Sequence, residues 1–390
     1  MVVWNFFYNF EVLCFFDKME KFEIEKFEIV GNCENSLQII AVISSIESIL
    51  QVPVFLVGGA VRDLLLGETP KDLDFVTALK PDLVRIRLQN AGRKCGTQGQ
   101  KFGTIGTRIV SGNQFIPVEI TTMRGEDYDQ LTQNQLARSR KPTVNFITDL
   151  KTDLSRRDLT INAMAMNSSG QILDYFGGRQ DLQSGIIRTV GDSKLRFQED
   201  PLRILRAIRL AAKLDFAIET KTWQRITKMK WEIFRVSKER WVMEIDKILV
   251  SKNVTKGLDL LMESGLLDLV VPELSLQKSY DQNSNYHDFD LWEHTLKVVE
   301  NVPKENLELR WTALLHDIAK PFVRTNKNGR SNYIGHEILG SQMALKTCNY
   351  LKFSKVRTSF IVQNILIHLQ TDSLLKPFDN AGKKTKINLE

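Results

Sequence analysis

Residues 36–50, SLQIIAVISSIESIL, place apolar side chains three and four positions apart, which predicts a leading helix. VPVFLVGG (52–59) is a short β-branched run ending in glycines, a strand entering a tight turn, and AVRDLLLG (60–67) is a helix closed by Gly67. DLDFVTA (72–78) reads as a strand. GTIGTRIV and QFIPVEITTMR read as two more, joined as a hairpin around 111–113. From 124 to 150 the chain is polar and aperiodic, the pattern of a mobile loop. RRDLTINAMAMNSSGQILDYFGG predicts a short helix starting at Arg156 and Arg157, one strand and a Gly-Gly turn. Beyond about 192 strand signals nearly vanish, and EDPLRILRAIRLAAKL, SKERWVMEIDKIL and VTKGLDLLMESGLLDLVVPEL each read as an amphipathic helix. The expected class is α+β: an N-terminal extension (1–35), a mixed-sheet head (36–190), a helical neck and body (191–280) and a further helical domain (281–390), with the polar DQNSNYHDFD (281–290) as the second boundary.

Composition changes this picture little. The 390 residues are 43% hydrophobic, enough for more than one domain. A net charge of +6 suits a polyanionic partner and is also common among ordinary soluble proteins. Four scattered cysteines, Cys14, Cys33, Cys95 and Cys348, form no CxxC pair, which argues for a reducing, cytoplasmic setting and against a thiolate zinc site. No run reaches the ~18 apolar residues of a membrane span. The aromatic N-terminus lacks the basic start and cleavage site of a signal peptide, and Met19 is a candidate start. The tandem EKFEI-EKFEI (20–29) reads as an edge strand or solvated arm.

The chemistry concentrates in FLVGGAVRDLLLGETPKDLDFVT (55–77). On a strand, Asp72 and Asp74 share one face, while Leu73 and Phe75 point into the core. Paired carboxylates repel, and a divalent cation removes that penalty. A bare DxD also fits a solvated edge strand. What separates the two readings is GGAVRD upstream: Gly58 and Gly59 let backbone amides approach a phosphate at a helix start, and Arg62 is a bidentate phosphate donor.

On these residues the chain resembles the class II tRNA nucleotidyltransferase and bacterial poly(A) polymerase family, whose heads are of the polymerase-β-like nucleotidyltransferase type. The resemblance implies that Asp72 and Asp74 bind catalytic Mg2+ and that Gly59 and Arg62 bind a triphosphate, and it makes Glu119 in VEITTMR a candidate third carboxylate. RRDLTINAMAM (156–166) matches a further motif, implying that Arg157 contacts the nucleotide while Asp158 and Asn162 shape the site; a surface ion pair is the alternative. In EDPLRILRAIRL (199–210), Arg203, Arg206 and Arg209 recur every third residue after Asp200. Three arginines along one side of a largely apolar helix need an anionic partner, either a ligand or an ion-pair lattice. The family implies that Asp200 and Arg203 pair with the incoming base and that Arg206 and Arg209 follow as nucleotide contacts. Glu239 and Arg240 read as supports of the neck.

All five histidines lie after residue 286. His294, His316-Asp317, His336 and His368 fall on predicted helices, and a lone histidine on an apolar face is usually core. Together they resemble the ligand set of an HD-type phosphohydrolase domain, which implies a second divalent transition metal. The chain departs from that pattern in reading HDIAK rather than HDIGK and in stopping before the usual final aspartate. The expected activity is template-independent addition of CCA, or part of it, to tRNA 3′ ends from CTP and ATP. The alternatives are poly(A) polymerase and, from the histidines, an HD metal phosphohydrolase. No membrane partner is expected, and the sequence leaves the oligomeric state open.

Overall fold

The computed structural model describes residues 34–96, 99–111, 114–127, 143–281, 290–327 and 330–369. The expectations for the N-terminal extension before residue 34, the EKFEI repeat, the hairpin tip at 112–113 and the C-terminal tail lie outside them. The chain forms two compact units: residues up to Ser184 together with Arg188–Glu199, and Gly185–Ile187 together with residues from Asp200 onward.

The first unit is built on a six-stranded sheet in the order β3-β4-β2-β1-β7-β8. Its strands are β1 (Val54–Val57), β2 (Asp74–Thr77), β3 (Thr104–Ser111), β4 (Gln114–Thr122), β7 (Met164–Met166) and β8 (Ile172–Asp174). All pairings are antiparallel except β2 with β4, which is parallel. That exception needs a crossover, and the chain makes it through helix Pro81–Asn90 and β3. Helix Glu34–Leu50 packs on β1, β3 and helix Pro81–Asn90 through the predicted apolar stripe, with Val42, Ile43, Ile46 and Leu50 fully buried. Phe55, Val57, Val76 and Ala165 from the strands close a core with Met123, Leu150 and Leu154.

Three expectations are corrected here. The stretch 124–150 is not all loop: β5 (Arg124–Asp127) and β6 (Thr143–Phe146) pair as a separate ribbon, and residues 128–142 lie outside the described part. β5 (RGED) has no large apolar residue and the alternation of β6 (TVNF) lasts only four residues, too short a run to announce a strand. Arg156 does not start a helix. Asp149 caps helix Leu150–Ser155 by accepting from the Thr152 amide, and Arg156 follows the helix end. The segment 164–174 holds two strands rather than one, turned by Asn167, whose side-chain oxygen accepts from the Ser169 and Gln171 amides.

The second unit is helical, apart from two-stranded pairings at 186–187 with 217–218 and at 325–327 with 330–332. The helix expected over the leucine-rich 254–270 region is two, Val254–Glu263 and Leu267–Val270, because Gly265 takes φ 70° between them. Trp241 and Trp311 are fully buried. Asp246, on helix Lys238–Leu249, accepts from Trp311 Nε1 at 2.7 Å and from both terminal nitrogens of Arg357 at 3.0 and 2.8 Å. One carboxylate thus joins residues from three helices on both sides of the polar 281–290 stretch.

Candidate functional site

Asp74 opens β2, and Asp72 stands just before the strand. Both side chains are open to solvent, whereas Leu73 and Phe75 are buried at 7% and 0% exposure, so the expected division of faces holds. The parallel pairing puts Asp74 in register with Glu119 on β4. Although its side chain reaches solvent, partial desolvation pushes the Asp74 carboxyl above its ordinary range, Glu119 adds to this, Arg157 opposes it, and Asp72 raises it further. Two carboxylates and one guanidinium therefore act on the Asp74 carboxyl. The three carboxylates line a cleft of about 980 Å³.

Behind β1 the Gly-Gly turn meets two arginines. Gly58 has φ 79° and ψ −137°, a conformation reserved for glycine. A β-carbon there would lie 2.9 Å from Arg157 Nη1, and one on Gly59 would lie 3.2 Å from Arg62 Nη2. The glycines thus make room for guanidinium groups. The Gly58 amide itself is committed to the Met164 carbonyl at 3.3 Å, so the expected backbone cradle is in large part a side-chain one. Arg62 is buried; it donates from Nε and Nη2 to Asp63 and from Nη1 to Asn162 at 2.6 Å, and Asn162 donates to Asp158 at 3.3 Å. Burial depresses the Arg157 pKa, while Asp153 pulls it back up. Asp153, with no exposed side chain, binds Arg156 at 2.8 Å and Arg157 at 3.6 Å. Sequence reasoning overlooked Asp153, although its spacing of three and four before the two arginines is the helical ion-pair signal.

In the second unit Asp200 precedes helix Leu202–Leu214, the first carboxyl oxygen accepting from the Leu202 amide at 3.1 Å and the second from Arg240 at 3.2 Å. Arg203 is buried at 8% exposure. Arg209 turns to Glu244 at 2.5 Å. A step of three residues rotates about 60° short of a full helical turn, so Arg209 lies about 120° around the helix from Arg203. The three arginines do not share a face. Arg240 supports Asp200, and Glu239 pairs with Lys352 at 3.0 Å.

The four expected histidines converge on Asp317. Its Oδ2 lies 3.0 Å from His316 Nε2 and 3.4 Å from His294 Nε2; its Oδ1 lies 3.2 Å from His336 Nε2 and 4.0 Å from His368 Nε2. Three of the rings are oriented by Nδ1 contacts to backbone carbonyls, His316 to Ala313 and His336 to Tyr333 at 2.7 Å, and His368 to Ile365 at 2.6 Å. This is how ligating imidazoles are held with Nε2 inward. Among the described residues two groups bring three ligand atoms within 4.8 Å of one another, His294–His316–Asp317 and Asp317–His336–His368, and they share the aspartate. Burial acts to raise the Asp317 carboxyl, but His316 and the hydrogen bonds from three histidines hold it well below the usual range. Lys320, outside the expected ligand set, stands 2.7 Å from Oδ2.

Residues 54–188 match the poly A polymerase head domain, and 215–277 match the probable RNA and SrmB-binding site of polymerase A. The chain is 34% identical to the Multifunctional CCA protein of Neisseria meningitidis, over 77% of its own length and 69% of that protein. It is 35% identical to the CCA-adding enzyme of Bacillus pumilus, over 67% of its length and 58% of the relative's. The solved Bacillus stearothermophilus CCA-adding enzyme in complex with CTP is similar at 28% identity and a TM-score of 0.54, over 86% of this chain and 83% of that one. The chain belongs to the class II tRNA nucleotidyltransferase and poly(A) polymerase family. It spans only about half to two-thirds of the length of most of the curated relatives it matches.

Proposed function

We propose that the protein is a template-independent RNA nucleotidyltransferase that adds CCA, or part of it, to tRNA 3′ ends from CTP and ATP in the cytoplasm. The observation that carries the reading is the register of Asp74 with Glu119 beside Asp72, with Arg157 bearing on the same carboxyl. The terminal ribose hydroxyl oxygen forms a bond to the α-phosphorus, the bond from that phosphorus to the bridging oxygen breaks, pyrophosphate leaves, and the hydroxyl proton passes to water. Desolvation, with the neighbouring charges of Glu119 and Asp72, lifts the Asp74 pKa, and a divalent cation held by Asp72, Asp74 and Glu119 would offset both costs. When bound, Mg2+ supplies positive charge to the attacking and leaving oxygens. Arg157 and the Nη donors that Arg62 retains orient the triphosphate from the turn at Gly58 and Gly59. Base choice is assigned to Asp200 and Arg203, with Arg206 alongside, on the sequence motif. Arg209 is bound to Glu244 and serves as a support.

A divalent transition metal is proposed for the histidine cluster. His294 and His316 bring their Nε2 atoms within 3.3 Å, and His336 and His368 within 3.2 Å. Nitrogen lone pairs that close repel one another unless a cation or proton lies between them, which suits an imidazole-carboxylate site. We assign residues 291–369 to an HD-type domain on this basis.

Poly(A) polymerase shares the chemistry, and the name of the matching head family favours keeping it as the second reading. Incubation with a tRNA lacking its 3′ end, with CTP and ATP supplied singly and together, separates the two. Addition stopping after one to three nucleotides supports tRNA completion, and an unbounded A tract supports poly(A) synthesis. Asp72→Ala is expected to abolish incorporation, and full incorporation by that variant would refute both readings.

A further inference from the structure

The carboxylates have cationic groups on both sides. Arg62 and Arg157 lie toward β1, at the Gly-Gly turn. The same cleft is lined by Lys71 beside Asp72 and, on the opposite side, by Phe115 of β4, Arg108 of β3, and Arg93 and Lys94 beyond β3. None of these four cations has a carboxylate partner among the described residues, and the Arg93 Nε is buried without a hydrogen-bond partner. Residues 92–96 run beside β3, held by reciprocal Gly96–Gly106 backbone bonds and by Thr107 Oγ1 donating to the Lys94 carbonyl at 2.9 Å. Arg93 and Lys94 are thereby fixed along the rim.

The hairpin register orders the open face between them. Glu119 stands opposite Gly106, Pro117 opposite Arg108, and Phe115 opposite Val110. Residues paired across antiparallel strands share a face, so a track runs from the catalytic carboxylate over a bare glycine and past an arginine to an aromatic ring. A β-carbon on Gly106 would meet nothing within 4 Å, so that position leaves the track open beside Glu119. From Glu119 to Phe115 the track is about 13 Å long at ~3.3 Å per residue. Phe115 is 67% exposed, so its ring is open to a stacking partner.

We propose that this track binds the single-stranded 3′ end of the acceptor RNA, with a base stacked on Phe115 and phosphates held by Arg108, Arg93 and Lys94. The inference rests on the nucleotidyl-transfer reading, which requires two anionic ligands meeting at the carboxylates. Unpaired cations interleaved with an exposed aromatic are the recognition chemistry of single-stranded nucleic acid. The arginines at the Gly-Gly turn face the triphosphate, and the β3–β4 side faces the strand being extended.

The test measures binding and extension separately. A fluorescein-labelled single-stranded RNA ending in CC is titrated against the full chain, and a tRNA lacking its 3′ end is extended with CTP. Phe115→Ala is expected to weaken RNA binding roughly 5- to 150-fold, the range of one lost base–aromatic stack. It raises the KM for the tRNA while the KM for CTP shifts less than about two-fold. Phe115→Trp, which keeps a ring, restores binding. Arg108→Ala is expected to flatten the dependence of log K on log salt by about 0.7, the value for one phosphate contact on a single strand. Melting curves check that each variant folds. Unchanged RNA affinity, salt slope and tRNA KM in both variants would overturn the proposal. Wild-type protein that binds RNA through Phe115 and Arg108 but incorporates no nucleotide would keep the track and refute the transfer reading.

Discussion

The Arg157 guanidinium occupies the space that a β-carbon on Gly58 would need, with Nη1 2.9 Å from that position. One glycine hydrogen thus sets how closely Arg157, the proposed triphosphate contact, approaches the turn. Gly58→Ala forces both a displacement of Arg157 and a φ of 79° that alanine resists. The strained backbone alone costs about 1–3 kcal/mol. A lower melting temperature and a fall in CTP incorporation on the order of 100-fold, roughly the 2.7 kcal/mol of a lost electrostatic contact in the transition state, are expected. Incorporation at the wild-type rate would show that Arg157 needs no such approach.

Asp153 positions that arginine from beneath. Its carboxylate is fully buried, faces Arg156 and Arg157, and accepts from the Arg124 amide at 3.1 Å. Removing one partner of a buried ion pair leaves the others uncompensated, at about 3–5 kcal/mol. Asp153→Ala should lower the urea midpoint accordingly and raise the KM for CTP. A KM that stays fixed while stability falls would confine Asp153 to a purely structural role.

The histidine cluster makes a prediction independent of nucleotide transfer. Protein stripped with chelator and dialysed against Ni2+ or Co2+ should retain metal after desalting, as read by elemental analysis. His316→Ala should lose affinity by at least about 100-fold, beyond the 10–100-fold typical of losing a group behind the ligands. CTP incorporation in Mg2+ should be little changed in this variant, since the contacts of His316 with Asp317, His294 and the Ala313 carbonyl all lie within the second unit. Retention of metal by His316→Ala would remove it from the ligand set.

Cys348 gives a pH dependence with a definite sign. Burial pushes its thiol up to about 11. The folded state therefore favours the neutral thiol. Its contribution is fully present below the unfolded pKa, near 9, and is lost as pH rises through 11. Denaturant stability should decline across that window more steeply in the wild type than in Cys348→Ala. At pH 8, peptide mapping after iodoacetamide should find Cys348 unmodified in the native protein and alkylated in denaturant.

The site was legible where chemistry and short-range spacing coincide. Asp72 and Asp74 announced a shared face through period two, and the structure keeps Leu73 and Phe75 inward as that period requires. The partnership of Asp74 with Glu119 was not readable from spacing, because a parallel pairing depends on a crossover that no local pattern records. The arginines of 203–209 misled for a geometric reason: an interval of three looks regular in sequence but drifts around a helix of 3.6 residues per turn. The histidines were found by residue type alone, and only the fold shows that one aspartate serves all four. Asp153 escaped because a carboxylate among arginines looks like a solvated surface pair until its burial is known.

The crossover from β2 to β4 also has a genetic meaning. Asp74 and Glu119 bracket a continuous segment that contains Arg93, Lys94, Arg108 and Phe115. The two proposed metal-holding carboxylates are thus joined by the stretch that carries the proposed RNA track. If that track holds the acceptor, exchanging residues 78–117 as a cassette would transplant acceptor preference in one recombination event and leave the flanking carboxylates in register.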